Sequence, residues 1–140
     1  LQYKLYNQLE KFYNIVNKPF TGLGLIVTDN AEKLPIYSLY KYTNTYEKNL
    51  VKQLIELSKL ESSYHDGFHI LSSSLELTHI SQYFYPQPPI DLSIELEEGK
   101  GVRYLVAKIG STLPSVLYTA IVSNNYGICI FKNGIKLKVN

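Results

Sequence analysis

The sequence predicts an α/β domain in which a central mixed β-sheet is flanked by helices, and three observations predict it. Apolar residues recur at helical spacing in two stretches, Tyr3 to Asn17 and Thr45 to Leu60. Short apolar runs of strand length, bounded by turn residues, lie between and after them. Strand hairpins also alternate with helices along the chain, an order that suits a sheet covered by helices. With 140 residues the chain reads as one domain, an N-terminal helix over 1–20 and a core over 21–140, large enough to bury about two-thirds of its unfolded surface.

In the first helix Leu5, Leu9, Phe12, Ile15 and Val16 form the apolar face, and Pro19 ends the pattern. Thr21-Gly-Leu-Gly-Leu-Ile-Val-Thr28 follows as a buried strand closed by Asp29-Asn30. Its glycines do not open a helix in a Gly-x-Gly-x-x-Gly pattern, which excludes a Rossmann reading. The second helix has Leu50, Val51, Leu54, Ile55 and Leu57 on one face, with Asn44 and Glu47 as its capping pair. Gly67 to Leu71 and Leu75 to Ile80 read as strands of a hairpin joined by Ser72-Ser-Ser74. Tyr83-Phe-Tyr-Pro-Gln-Pro-Pro89 reads as a loop, since its prolines cannot continue a central strand. A short helix spans Arg103 to Ile109, opened by Gly99-Lys-Gly101 and closed by Gly110, with Leu105, Val106 and Ile109 on its apolar face. Strands over Val116 to Val122, Ile128 to Phe131 and Ile135 to Val139 complete the chain, turned by Asn124-Asn-Tyr-Gly127 and by the type I′ signal Asn133-Gly134.

Composition narrows the function. A net charge of +2 is too small for the electrostatic footprint of a polymeric nucleic-acid binder, but it leaves room for one small anion held by amides and an arginine. No apolar run approaches the roughly 20 residues that span a bilayer. The lone Cys129 excludes an internal disulfide and a cysteine-rich zinc site, which fits a reducing, cytoplasmic setting. Because the chain starts at Leu1, a targeting segment or fused partner domain outside it is compatible with this reading. Thirteen tyrosines are spread along the chain as amphipathic residues at the edge of the core, or alternatively as a stacking array.

The candidate chemistry is sparse. His65-Asp66-Gly67 sits before a strand, where the aspartate could polarise a hydroxyl or hold a metal, and the same tripeptide is also an ordinary turn. His65 and His69, on an extended segment, stand roughly 13 Å apart and make no zinc site. His79 reads as a strand histidine with a hydrogen-bond partner. Gly101-Val102-Arg103 opens a helix whose amides and guanidinium suit a phosphate, the alternative being a surface arginine at a helix start. Ser123 lies at a strand end with no base nearby, so hydrolase chemistry has no support.

In order, these segments resemble the diadenylate cyclase domain over about Thr21 to Gly134. That family carries a Leu-His-Asp-Gly-Ala segment, a Leu-Pro loop, a Gly-Thr-Arg-His-Arg motif opening a helix, and a strand ending in Ser-Glu-Glu-x-Gly. The corresponding stretches here are Tyr64-His-Asp-Gly-Phe68, Tyr83 to Pro89, Gly101-Val-Arg-Tyr-Leu105 and Val122-Ser-Asn-Asn-Tyr-Gly127. The resemblance implies a bacterial-type signalling domain in the chemistry of c-di-AMP. Asp66 and Arg103 keep the family's residues, whereas Tyr104 replaces a histidine tied to metal, Leu105 an arginine, and Asn124-Asn125 the glutamate pair. Loss of a phosphate-holding cation and of metal ligands should cost orders of magnitude in rate. The expected protein is therefore a nucleotide sensor that binds a cyclic di- or oligonucleotide for a fused or associated effector. It needs no metal or other cofactor, and the resemblance makes a homodimer reasonable. The ligand site is expected at Asp66, Gly67, Phe68, Tyr83, Phe84, Tyr85, Gly101, Val102, Arg103, Tyr104 and Ser123, with the Tyr83–Tyr85 rings for stacking. The alternative is a divergent, active cyclase joining two ATP molecules, with Asp66 as its catalytic carboxylate and magnesium or manganese as its metal.

Overall fold

The structure, a computed structural model, describes residues 1–40, 47–90, 94–95 and 97–138. Along the chain α1 (Gln2–Ile15) leads to β1 (Leu23–Val27), followed by β2 (Ile36–Ser38), α2 (Leu50–Leu57), β3 (Phe68–Leu71), β4 (Leu77–Phe84), α3 (Val102–Gly110), β5 (Tyr118–Ser123), β6 (Gly127–Lys132) and β7 (Ile135–Lys136). The strands form one sheet in the order β2-β4-β3-β1-β5-β6-β7. β1 is buried along its whole length and pairs in parallel with β3 on one side and antiparallel with β5 on the other. The parallel pair requires a crossover, and α2 lies within it. The predicted mixed sheet flanked by helices is therefore the observed architecture.

The two faces of the sheet have separate cores. α1 and α2 cover one face, where Leu5, Leu9, Phe12, Val51 and Leu54 pack on Leu25, Val27, Leu71 and Ile130. α3 covers the other, where Tyr104 and Ala107 pack among Ile26, Ile70, Ile121 and Phe131. Each apolar side chain fully buried in this way contributes about 1.5–3 kcal/mol before entropy is set against it.

Several boundaries differ from the sequence reading, each for a physical reason. Ile15 faces solvent, because Leu5, Leu9, Phe12 and Val16 already form one stripe and Ile15 lies about 100° off it. α2 begins at Leu50, with Asn49 as its cap: the Asn49 Oδ1 accepts from the Lys52 N–H at 3.1 Å. Glu47 contributes by accepting from the Lys48 and Asn49 N–H groups, and Asn44 and Thr45 lie outside the described residues. Tyr83 and Phe84 belong to β4, not to a loop, since the prolines begin only at Pro86 and β2 supplies an unforeseen edge partner, Tyr37 opposite Tyr83. β4 accordingly starts at Leu77 instead of Leu75. In α3 the buried residues are Tyr104, Ala107, Lys108 and Gly110, while Leu105, Val106 and Ile109 are half-buried. Lys108 goes inward because its Nζ is satisfied by the Glu95 carbonyl at 3.0 Å and Glu97 Oε2 at 3.2 Å. The β6–β7 turn has Asn133 and Gly134 both at positive φ, as a type I′ turn requires. The expected end of the last strand at Val139 lies outside the described residues.

Candidate functional site

Arg103, in the first turn of α3, reaches back over the start of β1. Its Nη1 donates to the Thr21 carbonyl and its Nη2 to the His65 carbonyl, both at 3.4 Å. The approach is close: a Cβ on Gly24 would lie 3.0 Å from the Phe68 ring and 3.2 Å from Arg103 Cδ. The Gly-Leu-Gly of β1 is thus a passage for the arginine stem and an aromatic ring, a role that a glycine inside a strand often marks.

The His65-Asp66-Gly67 turn delivers the chain to β3. Gly67 has φ +78°, and a Cβ there would stand 2.5 Å from the Gln82 carbonyl oxygen of β4. Ser81 holds the turn from behind, its Oγ donating to the Tyr64 carbonyl at 2.8 Å. His65 Nδ1 lies 3.4 Å from Asp66 Oδ1. His69, one residue into β3, is buried, and its Nδ1 accepts from the Ser81 N–H at 3.0 Å. Burial first, and the Arg103 charge second, bring its pKa down to about 3, so the ring is neutral with its proton on Nε2. His79 has the expected partner, with its Nδ1 2.9 Å from Thr78 Oγ1.

A cleft of about 320 Å³ lies in front of these elements. Gly67, Phe68, Tyr83, Phe84, Val102 and Arg103 line it as the sequence reading grouped them, and Leu39 and Val106 line it too. Asp66 is exposed beside it and acts on the Arg103 charge; burial pulls the guanidinium below its ordinary pKa, and Asp66 opposes that pull. Gly101 is the N-cap of α3. The remaining predicted residues do not line the cleft. Tyr85 stacks obliquely on Tyr83, with ring centroids 5.3 Å apart. Ser123 accepts from the Asn125 N–H at the β5–β6 turn. Tyr104 is only 2% exposed. Its ring meets Phe131 and Tyr126 edge to face, and its hydroxyl donates to Glu97 Oε2 at 2.6 Å. Burial and that bond raise the phenol above its ordinary pKa.

Sequence reasoning missed Leu39, Val106 and Tyr126, whose charge interaction with Arg103 places it near the guanidinium. It also missed Thr21 and Asn124 as framework groups, Asn124 Nδ2 donating to the Phe20 carbonyl at 2.8 Å. The paired glycines of β1 were the one local signal of a close approach.

Chemically the cleft offers a half-buried guanidinium that forms no ion pair with a described carboxylate, Asp66 acting on it from a greater distance. No described acidic group pairs with Arg103, and its two carbonyl contacts are long enough to be weak. Charge-assisted bonds to a phosphate, at about 2.7–2.9 Å, would replace them with gain. The donor set does not fit a divalent metal. Among the described residues no group of three or more His, Cys, Asp or Glu side chains is gathered, the Tyr104 hydroxyl is committed to Glu97, and Asn124 is oriented by the bond from its Nδ2 to the Phe20 carbonyl.

Among the described residues no helix is long and apolar enough to cross a membrane. No family model matches the sequence, and no curated protein matches it. Solved structures do. A hypothetical membrane spanning protein from Bacillus cereus superposes with a TM-score of 0.69 at 17% identity over 97% of this chain, which spans 61% of that protein. A double mutant of DacA, the diadenylate cyclase of Staphylococcus aureus, superposes with a TM-score of 0.60 at 17% identity, over 97% of this chain and 83% of that one. At such identity the likeness is one of fold: among the described residues this chain is an α/β domain, a mixed seven-stranded sheet flanked by three helices, folded like DacA.

Proposed function

We propose that the chain is a nucleotide-binding domain that senses a cyclic di- or oligonucleotide, of which c-di-AMP is the first to try, on behalf of a fused or associated effector. The observation that carries this reading is Arg103, a half-buried guanidinium facing a cleft of glycine and aromatic residues with no carboxylate partner among the described residues. A phosphodiester would meet the guanidinium and the first amides of α3, and a base would lie along Phe68 and Tyr83, stacking being worth about 1–3 kcal/mol per base.

Turnover is disfavoured by the positions that replace the family's reactive groups. Tyr104 is held in the core with its hydroxyl on Glu97, so it is not free for a metal or a nucleotide hydroxyl, and Asn124, whose Nδ2 braces the Phe20 carbonyl, supplies no carboxylate. Asp66 remains exposed at the cleft.

Thermal melts against ATP, c-di-AMP and a cyclic trinucleotide test the reading. A ligand at a hundred times its dissociation constant stabilises by about 2.7 kcal/mol, a shift on the order of 10 °C for a domain of this size. One cyclic nucleotide should give that shift, and Arg103→Ala should abolish it. Absence of any shift, or sustained formation of a cyclic product from ATP with magnesium or manganese, would overturn the sensor reading.

A further inference from the structure

A second cleft, of about 220 Å³, opens where the chain leaves α1 and where α2 ends. Val16, Pro19, Phe20, Ile55 and Leu60 give it an apolar wall, Asn17, Lys59 and Glu61 add polar side chains, and Ser58, the C-cap of α2, also lines it. Ser58 is 1% exposed, and its Oγ is buried with no hydrogen-bond partner among the described residues. Native interiors rarely leave a hydroxyl so, because a buried polar group without a partner is destabilising. Such a group beside a cleft is explained if a ligand completes it.

Hydrogen bonds through Thr21 link this cleft to the arginine site. The Ser58 carbonyl accepts from Thr21 Oγ1 at 2.9 Å and from the Thr21 N–H at 3.3 Å. The Thr21 carbonyl in turn accepts from Arg103, and Asn124 holds the carbonyl of Phe20, which lines the second cleft. Residues 20–21 are therefore joined to the guanidinium by a chain of hydrogen bonds.

We propose that this cleft is an effector site for a compact neutral molecule, an apolar ring bearing one hydroxyl, which bonds Ser58 Oγ and whose occupancy is felt at Arg103 through Thr21. The volume falls below the roughly 300–1,000 Å³ of sites for drug-sized ligands, so the molecule is small. Lys59 and Glu61 put opposite charges on the lining and Lys59 is already paired with Glu56 at 2.9 Å, so the cleft favours a neutral molecule over an ion that must be desolvated. Ser58 has no bond to give up when it rotates toward the newcomer. The site stands apart from the proposed nucleotide function, and only its consequence for nucleotide affinity rests on that reading.

NMR titration of isotope-labelled protein with benzyl alcohol, and with its apolar counterpart ethylbenzene, tests the site without any nucleotide. Benzyl alcohol should shift the amides of Phe20, Thr21, Ser58 and Leu60 and the Arg103 Nε–H along one saturable curve. Ser58→Ala loses no hydrogen bond of the free protein, so it should fold as the wild type does. It should weaken benzyl alcohol at least fivefold and leave ethylbenzene unchanged. Ile55→Phe, which fills the cleft, should abolish both. Thr21→Val, which removes the Oγ1 bond to the Ser58 carbonyl and keeps the longer backbone bond, should preserve benzyl alcohol binding while weakening the Arg103 signal. Unsaturable or absent shifts at these amides, or equal affinity in Ser58→Ala, overturn the site; an Arg103 signal undiminished in Thr21→Val overturns the route.

Discussion

Gly67→Ala is expected to destabilise the fold by roughly 2–5 kcal/mol, from two contributions that a second variant separates. Gly67 sits at φ +78°, where a side chain costs about 1–2 kcal/mol. The added Cβ would also stand 2.5 Å from the Gln82 oxygen and 3.0 Å from its carbonyl carbon. Gln82 cannot step aside alone, because it is paired with Phe68 in the β3–β4 ladder. Forcing extra volume into such a place costs about 1–3 kcal/mol. Gly127 is the control. It has φ +72°, but a Cβ added there would meet nothing within 4 Å, so Gly127→Ala should lose only the first contribution, about 1–2 kcal/mol. Urea unfolding of both variants measures the difference, with the slope on urea unchanged if the unfolded state is unaffected. Equal losses would show that β4 does not press on residue 67, and the account of how the turn meets the cleft would fail.

Two further outcomes follow from side chains beside the site. His69 is held neutral to about pH 3, whereas in the unfolded chain it protonates near pH 6.5. Below that value the unfolded state binds more protons, so the stability His69 allows is fully present above about pH 6.5 and falls as the pH drops toward 3, at most about 1.4 kcal/mol per pH unit. Urea midpoints at pH 7, 6 and 5 should fall along this slope and His69→Gln should flatten it; parallel slopes would refute it. Tyr104→Phe removes one bond to Glu97, which keeps Lys108 as a partner. It should cost about 1–2 kcal/mol in stability and leave any nucleotide-induced melting shift intact, since the ring packs in the core; loss of the shift would return Tyr104 to the cleft.

Much of the fold was legible because its rules are local. Leu5, Leu9 and Phe12 mark α1 by spacing alone, Asn133-Gly134 marks its hairpin, and the unbroken apolar run of β1 marks a strand buried on both faces. β2 was illegible because Ile36-Tyr37-Ser38 is short and carries no alternation, and β4 ran on through Phe84 only because β2 was there to pair with it. Of the site, Gly67, Phe68 and Arg103 could be named from their motifs. Leu39 and Val106 could not, since nothing in their own segments distinguishes them from ordinary apolar residues.

What the sequence determined by itself was the inventory: the order of the elements other than β2, the sheet with its helices, and a single arginine opening α3. These follow from periodicity, turn chemistry and residue identity, which act over a few positions. Tertiary structure alone decided that Arg103 would meet the carbonyls of Thr21 and His65, that Tyr104 would turn into the core, and that the unpaired hydroxyl of Ser58 would border a second cleft. Those contacts join segments tens of residues apart, and they depend on strand order, which no local pattern encodes, and on close approaches at Gly24 and Gly67, which a glycine marks without showing what will approach.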